Sequence, residues 1–278
     1  MKKRIVILTL SFLVLLCAAC GNKGKKTEDS AKFFSKSFGS PGGDFTITGK
    51  LQNASNLTLY LEEMTPDNGA QFIDSIKCDQ DGNFKYNGNM PYQTFYNLHS
   101  SEYDYIVLLP KAGEEIRISG DTKKLNETYT VSGSYESQLV WQILQHINNT
   151  NLVIADIAQQ DKYNKAKLSD EQYETAHKQT DSIFLIEREK TIINFKKFIN
   201  DNLGSLSTLY AIDAPFNHGS RVFYAETDPD MFEIVLEGLQ STQPDNPHVQ
   251  YFKLRVDRIR SARMMAQQQQ TEPQIIIN

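Results

Sequence analysis

The first half of the chain alternates apolar and polar residues at a period of two. Phe45 and Ile47 alternate with threonines in residues 44–49, and three leucines fall on one face of residues 56–62. Because successive side chains of a strand point to opposite faces, this pattern predicts half-buried strands. The same reading predicts further strands at residues 71–78, 83–86, 94–99, 103–109, 115–119 and 128–132.

Turn-forming residues separate the predicted strands. Residues 79–82 lie between two of them and end in Gly82, and residues 110–113 and 120–121 also place a glycine at a boundary. Glycine readily adopts the positive φ that a tight hairpin turn requires. About eight short strands at this spacing predict an antiparallel β-sandwich or an open barrel.

The period changes to that of a helix after residue 133. Apolar residues recur at helical spacing from Val140 to Ile147, and Ser134 is placed to cap the start of this helix. The polar residues 148–151 are expected to interrupt it.

Capping residues mark the later helices. Ser169 and Gln172 have the spacing of a capping box, which opens a helix expected to run to about residue 200. Proline at the first helical position predicts two more helices, which begin at Pro229 and Pro247.

Together these patterns predict a segregated α+β fold. A β-sandwich domain is expected at residues 44–133, an α-helical domain at residues 134–265, and a C-terminal tail at residues 266–278.

The N-terminus has the features of an export signal. A basic start precedes the apolar residues 5–16, which are too few to span a bilayer, so residues 1–19 are predicted to be a signal peptide. The small residues before Cys20 resemble a bacterial lipobox, although Cys17 stands where leucine is usual. Cys20 is therefore the expected site of lipid attachment, and palmitate is among the expected acyl groups. Cleavage after Ala19 without a lipid, giving a soluble exported protein, is the alternative.

Residues 20–43 are predicted to be a flexible linker, because a segment rich in Lys, Ser, Gly and Asn cannot bury a core. In lipoproteins of one group of Gram-negative bacteria, an acidic run directly after the acylated cysteine sends the protein to the cell surface. Here lysines precede Glu28 and Asp29. The periplasmic face of the outer membrane is therefore the expected location.

A short motif in this linker suggests a modification. Asp29-Ser30-Ala31 resembles an O-glycosylation acceptor of the same bacteria, which makes Ser30 a candidate glycosylation site. Ser75 and Ser182 follow aspartate in similar motifs.

The composition is sufficient for packed hydrophobic cores, and the charge argues against nucleic acid as a partner. Hydrophobic residues make up 40% of the chain, and the formal net charge is −5. Removal of the signal peptide takes three of the 29 basic residues, which leaves 26 against 34 acidic residues and a net charge of −8. An acidic protein is a poor partner for nucleic acid. The basic residues of the last helix, such as Arg255, are interpreted as a solvated face, with an acidic partner as the alternative.

The sequence contains no catalytic or metal-binding constellation. The C-x-x-C spacing from Cys17 to Cys20 is split by cleavage, so Cys78 is left as one free thiol that is expected to be buried. The histidines are scattered without a second ligand at zinc spacing, and residues 43–50 and 79–83 match phosphate and calcium loops only in part. We therefore expect no cofactor, no metal ion, no catalytic residue and no enzymatic activity.

Several short motifs in the β-rich half occur together. They are Ile73-Asp74-Ser75, Asp81-Gly82-Asn83-Phe84, Phe95-Tyr96-Asn97-Leu98, Gly113-Glu114-Glu115-Ile116 and Val131-Ser132-Gly133-Ser134. This combination resembles a domain of unknown function that forms the N-terminal part of many thiol–disulfide interchange lipoproteins of Gram-negative, gut-type bacteria. The helical half is similar to those proteins too, so that the resemblance covers roughly residues 44–260.

The resemblance implies a relation to thioredoxin-like proteins. In that family a thioredoxin-fold domain with a W-C-x-x-C redox pair follows, and this sequence has no counterpart of that pair. The main functional hypothesis is a non-catalytic binding module, with a separate thioredoxin-fold protein as its partner. The alternative is a truncated or diverged thiol–disulfide oxidoreductase that lacks its redox domain.

A second alternative is a glycan-binding lipoprotein. Tyrosines of the predicted strands could form a platform for sugar rings. The tyrosines concerned are Tyr60, Tyr86, Tyr96, Tyr103 and Tyr105.

Overall fold

The computed structural model describes residues 41–101, 104–217 and 219–271, which lie within the compact unit Ser37–Asn278. In this part of the chain strands fill the first half and helices fill most of the second, which confirms the segregated α+β fold class. None of the helices it contains combines the length and the apolar character needed to cross a membrane.

Eight strands occupy the β-rich half, and each overlaps a predicted strand. They are β1 (Pro41–Gln52), β2 (Thr58–Thr65), β3 (Gly69–Lys77), β4 (Asn83–Tyr92), β5 (Phe95–Ser101), β6 (Asp104–Leu108), β7 (Glu115–Asp121) and β8 (Thr130–Ser132). The first sheet has the strand order β4-β1-β7-β8, and the second sheet has the order β3-β2-β5-β6. These strands form two open sheets, so the architecture is sandwich-like and is not a closed barrel.

One strand pair departs from the antiparallel prediction. β1 pairs with β7 in parallel, with Ile47 opposite Ile116. The remaining pairs of the two sheets are antiparallel. Parallel neighbours need a long connection, and here the strands between β1 and β7 provide it. Alternation predicts which face a residue occupies and carries no information on strand direction.

The β core lies between the two sheets. Phe45 and Ile47 of the first sheet pack with Leu59, Leu61 and Leu98 of the second, and all five side chains are buried. The alternation in the sequence therefore directs one face of each sheet toward this core.

Six helices and a short hairpin complete the described structure. They are α1 (Leu125–Thr128), α2 (Tyr135–Lys167), α3 (Asp170–Asp201), α4 (Ser207–Ile212), the hairpin β9 (Pro215–Asn217) with β10 (Ser220–Arg221), α5 (Pro229–Thr242) and α6 (Pro247–Thr271). Ser134 caps α2, since its Oγ accepts a hydrogen bond from the Ser137 backbone N–H at 3.2 Å. The predicted capping box of Ser169 and Gln172 opens α3.

Two helices are longer than the sequence predicts. α2 runs without a break through residues 148–151, where Asn148 Nδ2 donates to the Asn126 carbonyl at 3.2 Å and Thr150 is buried. These polar side chains therefore serve tertiary contacts instead of ending the helix. α6 continues to Thr271, into the segment predicted as a tail.

The helices cover part of the second sheet. Phe95 and Val107 of this sheet, with Leu109 directly after β6, belong to a helical core that also contains Ile143 of α2 and Phe252 of α6. The second sheet therefore contributes one face to the β core and the opposite face to the helical core.

Candidate ligand-binding site on the second sheet

The face of the second sheet that points away from the β core is called the outer face. Strand register arranges its side chains in rows, because directly paired residues share a face. These rows are Ser75–Tyr60–His99–Tyr105, Phe72–Glu62–Asn97–Val107 and Ala70–Met64–Phe95.

The helices cover this outer face unevenly. Phe95 and Val107 are buried in the helical core, whereas Tyr60 is 41% exposed, Tyr105 is 39% exposed and Phe72 is 63% exposed. Tyr60 and Tyr105 therefore lie at the uncovered end of the face, and His99, whose side chain is 12% exposed, lies between them. We call these three residues the aromatic row.

A cleft opens where the uncovered part of the outer face meets α4 and α6. It has a volume of about 410 Å³. Its floor includes Asn97, Tyr105 and Val107, and its wall includes Tyr210 and Tyr251. This volume lies within the range of small-ligand sites, about 300–1,000 Å³. Tyr105 belongs to both features, so the aromatic row leads directly into the cleft.

His248 fixes the start of α6 against the sheet. Its Nε2 lies 2.8 Å from Thr94 Oγ1, and its ring meets Phe95 edge-on at 5.4 Å between ring centroids. Burial lowers the pKa of His248 to about 4. The imidazole is therefore neutral near pH 7, although it lines the cleft.

Arg255 lines the wall of the cleft as part of an ion-pair group. Its Nη1 lies 2.7 Å from Asp213 Oδ2, and Arg221 Nη1 lies 2.8 Å from Asp213 Oδ1. The Arg255 guanidinium also stacks over the Phe232 ring at 4.9 Å from its centroid. Arg255 was expected on a solvated face, and the structure places it in the lining of the cleft, which the sequence pattern alone did not indicate.

Two polar groups of the site have unused hydrogen-bonding capacity. Tyr210 forms no hydrogen bond with any described residue, and burial raises the pKa of its hydroxyl. Both ring nitrogens of His99 also lack a hydrogen-bond partner among the described residues, and Nε2 lies 3.5 Å from Glu62 Oε2 without hydrogen-bond geometry. Both ring nitrogens are buried, so they do not face the solvent-accessible part of the outer face.

A second polar group lies in the interior, at the start of α2. Glu136 is fully buried and accepts a hydrogen bond from Ser205 Oγ, and Lys111 Nζ lies 3.9 Å from its Oε1. Burial raises the pKa of Glu136 to about 7, against the lowering effects of Ser205 and Lys111. Sequence reasoning missed this group because glutamate is rarely fully buried unless it is paired.

The candidate residues predicted from the sequence are dispersed. Cys20 and Ser30 lie outside the described residues. Ser75 and Ser182 are exposed. Cys78 is buried, and this burial raises the pKa of its thiol.

The predicted tyrosine platform is divided between two environments. Tyr60 and Tyr105 lie on the outer face, whereas Tyr96 is buried in the β core and Tyr86 packs against it. Tyr103 lies outside the described residues. In residues 41–101, 104–217 and 219–271 there is no group of histidine, cysteine and carboxylate side chains that could hold a metal ion.

Comparison with known families identifies the β-rich part. Residues 45–140 match a family described as "Domain of unknown function (DUF4369)". Residues 45–140 are therefore similar to this domain. The match confirms the resemblance drawn from the sequence, and no thioredoxin-fold domain is detected. The DUF4369 region contains all four strands of the second sheet and therefore the aromatic row.

Other comparisons show only distant similarity. No curated protein matches the sequence. Among solved structures, (S)-allantoin synthase is similar at 12% identity and a TM-score of 0.23, over 34% of this chain and 45% of that one. A candidate cell adhesion protein from Bacteroides ovatus ATCC 8483 is similar at 10% identity and a TM-score of 0.20, over 34% of this chain and 44% of the other. This chain thus spans less than half of either protein, and neither likeness supports an inference about fold or function.

Proposed function

We propose that this protein is a lipid-anchored envelope protein that acts as a non-catalytic binding module. Its ligand-binding surface is the aromatic row together with the adjoining cleft. The observation that carries this proposal is the uncovered end of the outer face, where partly exposed aromatic rings on paired strands lead into a cavity of about 410 Å³. Concave sites with convergent polar groups and exposed apolar patches are typical binding sites.

The electrostatics of the cleft support a binding role over catalysis. A general acid or base works best when its pKa lies near the operating pH. His248 has a pKa of about 4 and is hydrogen-bonded to Thr94, and Asp213 is paired with two arginines. Glu136 has a pKa of about 7 but is fully buried, outside the cleft lining.

The anchor and the location rest on the sequence. Cys20 of the lipobox carries the lipid, and the periplasmic face of the outer membrane is the proposed location. The resemblance to thiol–disulfide interchange lipoproteins favours a thioredoxin-fold protein as one partner of this module. The oxidoreductase alternative receives no support from Cys78, which is buried and has a raised pKa.

A ligand screen on the full mature chain tests the binding role. The readout is the shift of the unfolding temperature, because a ligand that binds the native state stabilises it. The double variant Tyr105→Ala/Tyr251→Ala removes two partly exposed rings of the cleft, and Tyr163→Ala removes an exposed ring of α2 as a control. Ligands are expected to lose their shift in the double variant and to keep it in the control. Equal shifts in all three proteins would contradict the proposal.

A further inference from the structure

We infer that the outer face binds a neutral saccharide, whose rings stack on the aromatic row and whose end enters the cleft. This inference rests on the proposed binding function and names the chemical class of the ligand. It combines the spacing of the rings, the hydrogen-bonding groups beside them and the charge of the surface.

The spacing of the aromatic row is set by the sheet. Tyr60, His99 and Tyr105 occupy directly paired positions on β2, β5 and β6. Because neighbouring strands lie about 4.8 Å apart, the two tyrosines are separated by about 10 Å along the row. This separation is close to the length of a disaccharide. Strands packed on a core hold the rings in place, so that little conformational entropy is lost on binding.

The rings suit the apolar faces of sugars. The ring centroids of Tyr60 and His99 are 5.8 Å apart, with their planes tilted by 39°. Both tyrosines are partly exposed, and their hydroxyl groups add polar edges to apolar bodies. A surface of this kind matches a ligand that has both C–H faces and hydroxyl groups.

Polar side chains lie beside the rings, at directly paired positions of the same sheet. Glu62 and Asn97 pair directly in the next row, and Ser75 extends the aromatic row on β3. A carboxylate accepts hydrogen bonds, while amide and hydroxyl groups both donate and accept. Sugar hydroxyls also do both. The hydroxyl of Tyr210, which lines the cleft, adds a further polar group to the same site.

The charge of the site favours a neutral ligand. The charged side chains that line the cleft are Asp213 and Arg255, which pair with each other, and His248 is neutral near pH 7. Glu62 is the carboxylate that stands beside the aromatic row. Among the described residues that line the cleft there is no cluster of free cations for an anionic polysaccharide, whereas a neutral saccharide meets no electrostatic penalty there.

Titration calorimetry of the mature protein tests this inference. The probes are neutral oligosaccharides (maltoheptaose, xylohexaose, laminarihexaose and mannohexaose), with heparin and polygalacturonate as charged comparators. Tyr60→Ala and Tyr105→Ala are expected to weaken the binding of a neutral probe by about tenfold each, which corresponds to about 1.4 kcal/mol. Tyr60→Phe, which keeps the ring, should retain most of the affinity. Tyr163 is 60% exposed on α2, and Tyr163→Ala should leave the affinity unchanged.

Three results would overturn the inference. They are no heat from any neutral probe at millimolar concentration, binding by the charged comparators alone, and equal affinity in the wild type, Tyr60→Ala and Tyr105→Ala. If other ligands from the screen still lose their stabilising effect in Tyr105→Ala/Tyr251→Ala, only the saccharide assignment fails. If those ligands also bind all variants equally, the proposed function fails with it.

Discussion

Glu136 accepts a hydrogen bond from Ser205 Oγ, and this contact joins the first turn of α2 to the connection between α3 and α4. The carboxyl group is fully buried, and burial raises its pKa from the usual 4.5 to about 7. Between pH 4.5 and pH 7 the folded protein therefore keeps a proton on Glu136, whereas the unfolded chain has lost it. The stabilising contribution of Glu136 is thus present below pH 4.5 and is lost as the pH rises through 7.

Glu136→Gln should remove this pH dependence. A neutral amide keeps an acceptor for Ser205 and does not ionise. The free energy of unfolding of the wild type should fall by about 3 kcal/mol more than that of the variant between pH 4.5 and pH 8. Urea unfolding at several pH values measures this difference, and the exposed Glu127→Gln serves as the control. Parallel pH profiles for the wild type and Glu136→Gln would contradict the assignment.

Local patterns predicted most of the secondary structure. Alternation identified the strands because one face of each sheet is buried, and Ser134 was recognisable as a cap because capping depends on neighbouring residues. The parallel pairing of β1 with β7 was not predictable, because period-two patterns do not encode direction. Asn148 of α2 donates to Asn126, which lies in α1, and a contact between separate elements cannot be predicted from a local pattern.

The candidate site was predictable only in part. Tyr60 and Tyr105 were singled out as strand tyrosines, and both lie on the outer face. The alternation places Tyr60 and Met64 on the same face of β2, yet only Met64 packs against the helical core. Which end of a sheet face is covered depends on helix packing. The burial of Glu136 depends on Ser205, which is 69 positions away.

Two substitutions in α2 should separate the core from the surface. Ile143 is buried in the helical core, so Ile143→Ala should lower the free energy of unfolding by about 2–5 kcal/mol through lost burial and a cavity. Leu152 is 69% exposed, and Leu152→Ala should change the free energy of unfolding by less than about 0.5 kcal/mol. Chemical denaturation measures both. Similar losses in the two variants would show that the packing of α2 is misassigned.

Cys78 should be unreactive in the native protein. Its side chain is buried, and burial together with the nearby charge of Asp79 raises the pKa of the thiol. In a Cys20→Ser mature chain, a chromogenic disulfide reagent should label Cys78 only after unfolding. The same protein should not reduce insulin. Rapid native labelling, or insulin turnover equal to a thioredoxin control, would favour the oxidoreductase alternative.

Cys20→Ala should release the protein from the membrane. The proposed anchor is a lipid on Cys20, so the variant should lose incorporation of labelled palmitate and leave the membrane fraction. Cys78→Ala is the matched control and should keep both properties. Unlabelled wild-type protein in the soluble envelope fraction would instead favour simple cleavage after Ala19.

The central claim is that the aromatic row and the cleft form the binding surface of this protein. Site-specific photo-cross-linking in intact cells tests it most directly, with a photoreactive phenylalanine analogue placed at Tyr105, Tyr251 or Tyr163. The two cleft positions should give covalent adducts on irradiation, whereas Tyr163, exposed on α2 and absent from the cleft lining, should give none. Adducts at position 163 with none at positions 105 and 251 would contradict the claim.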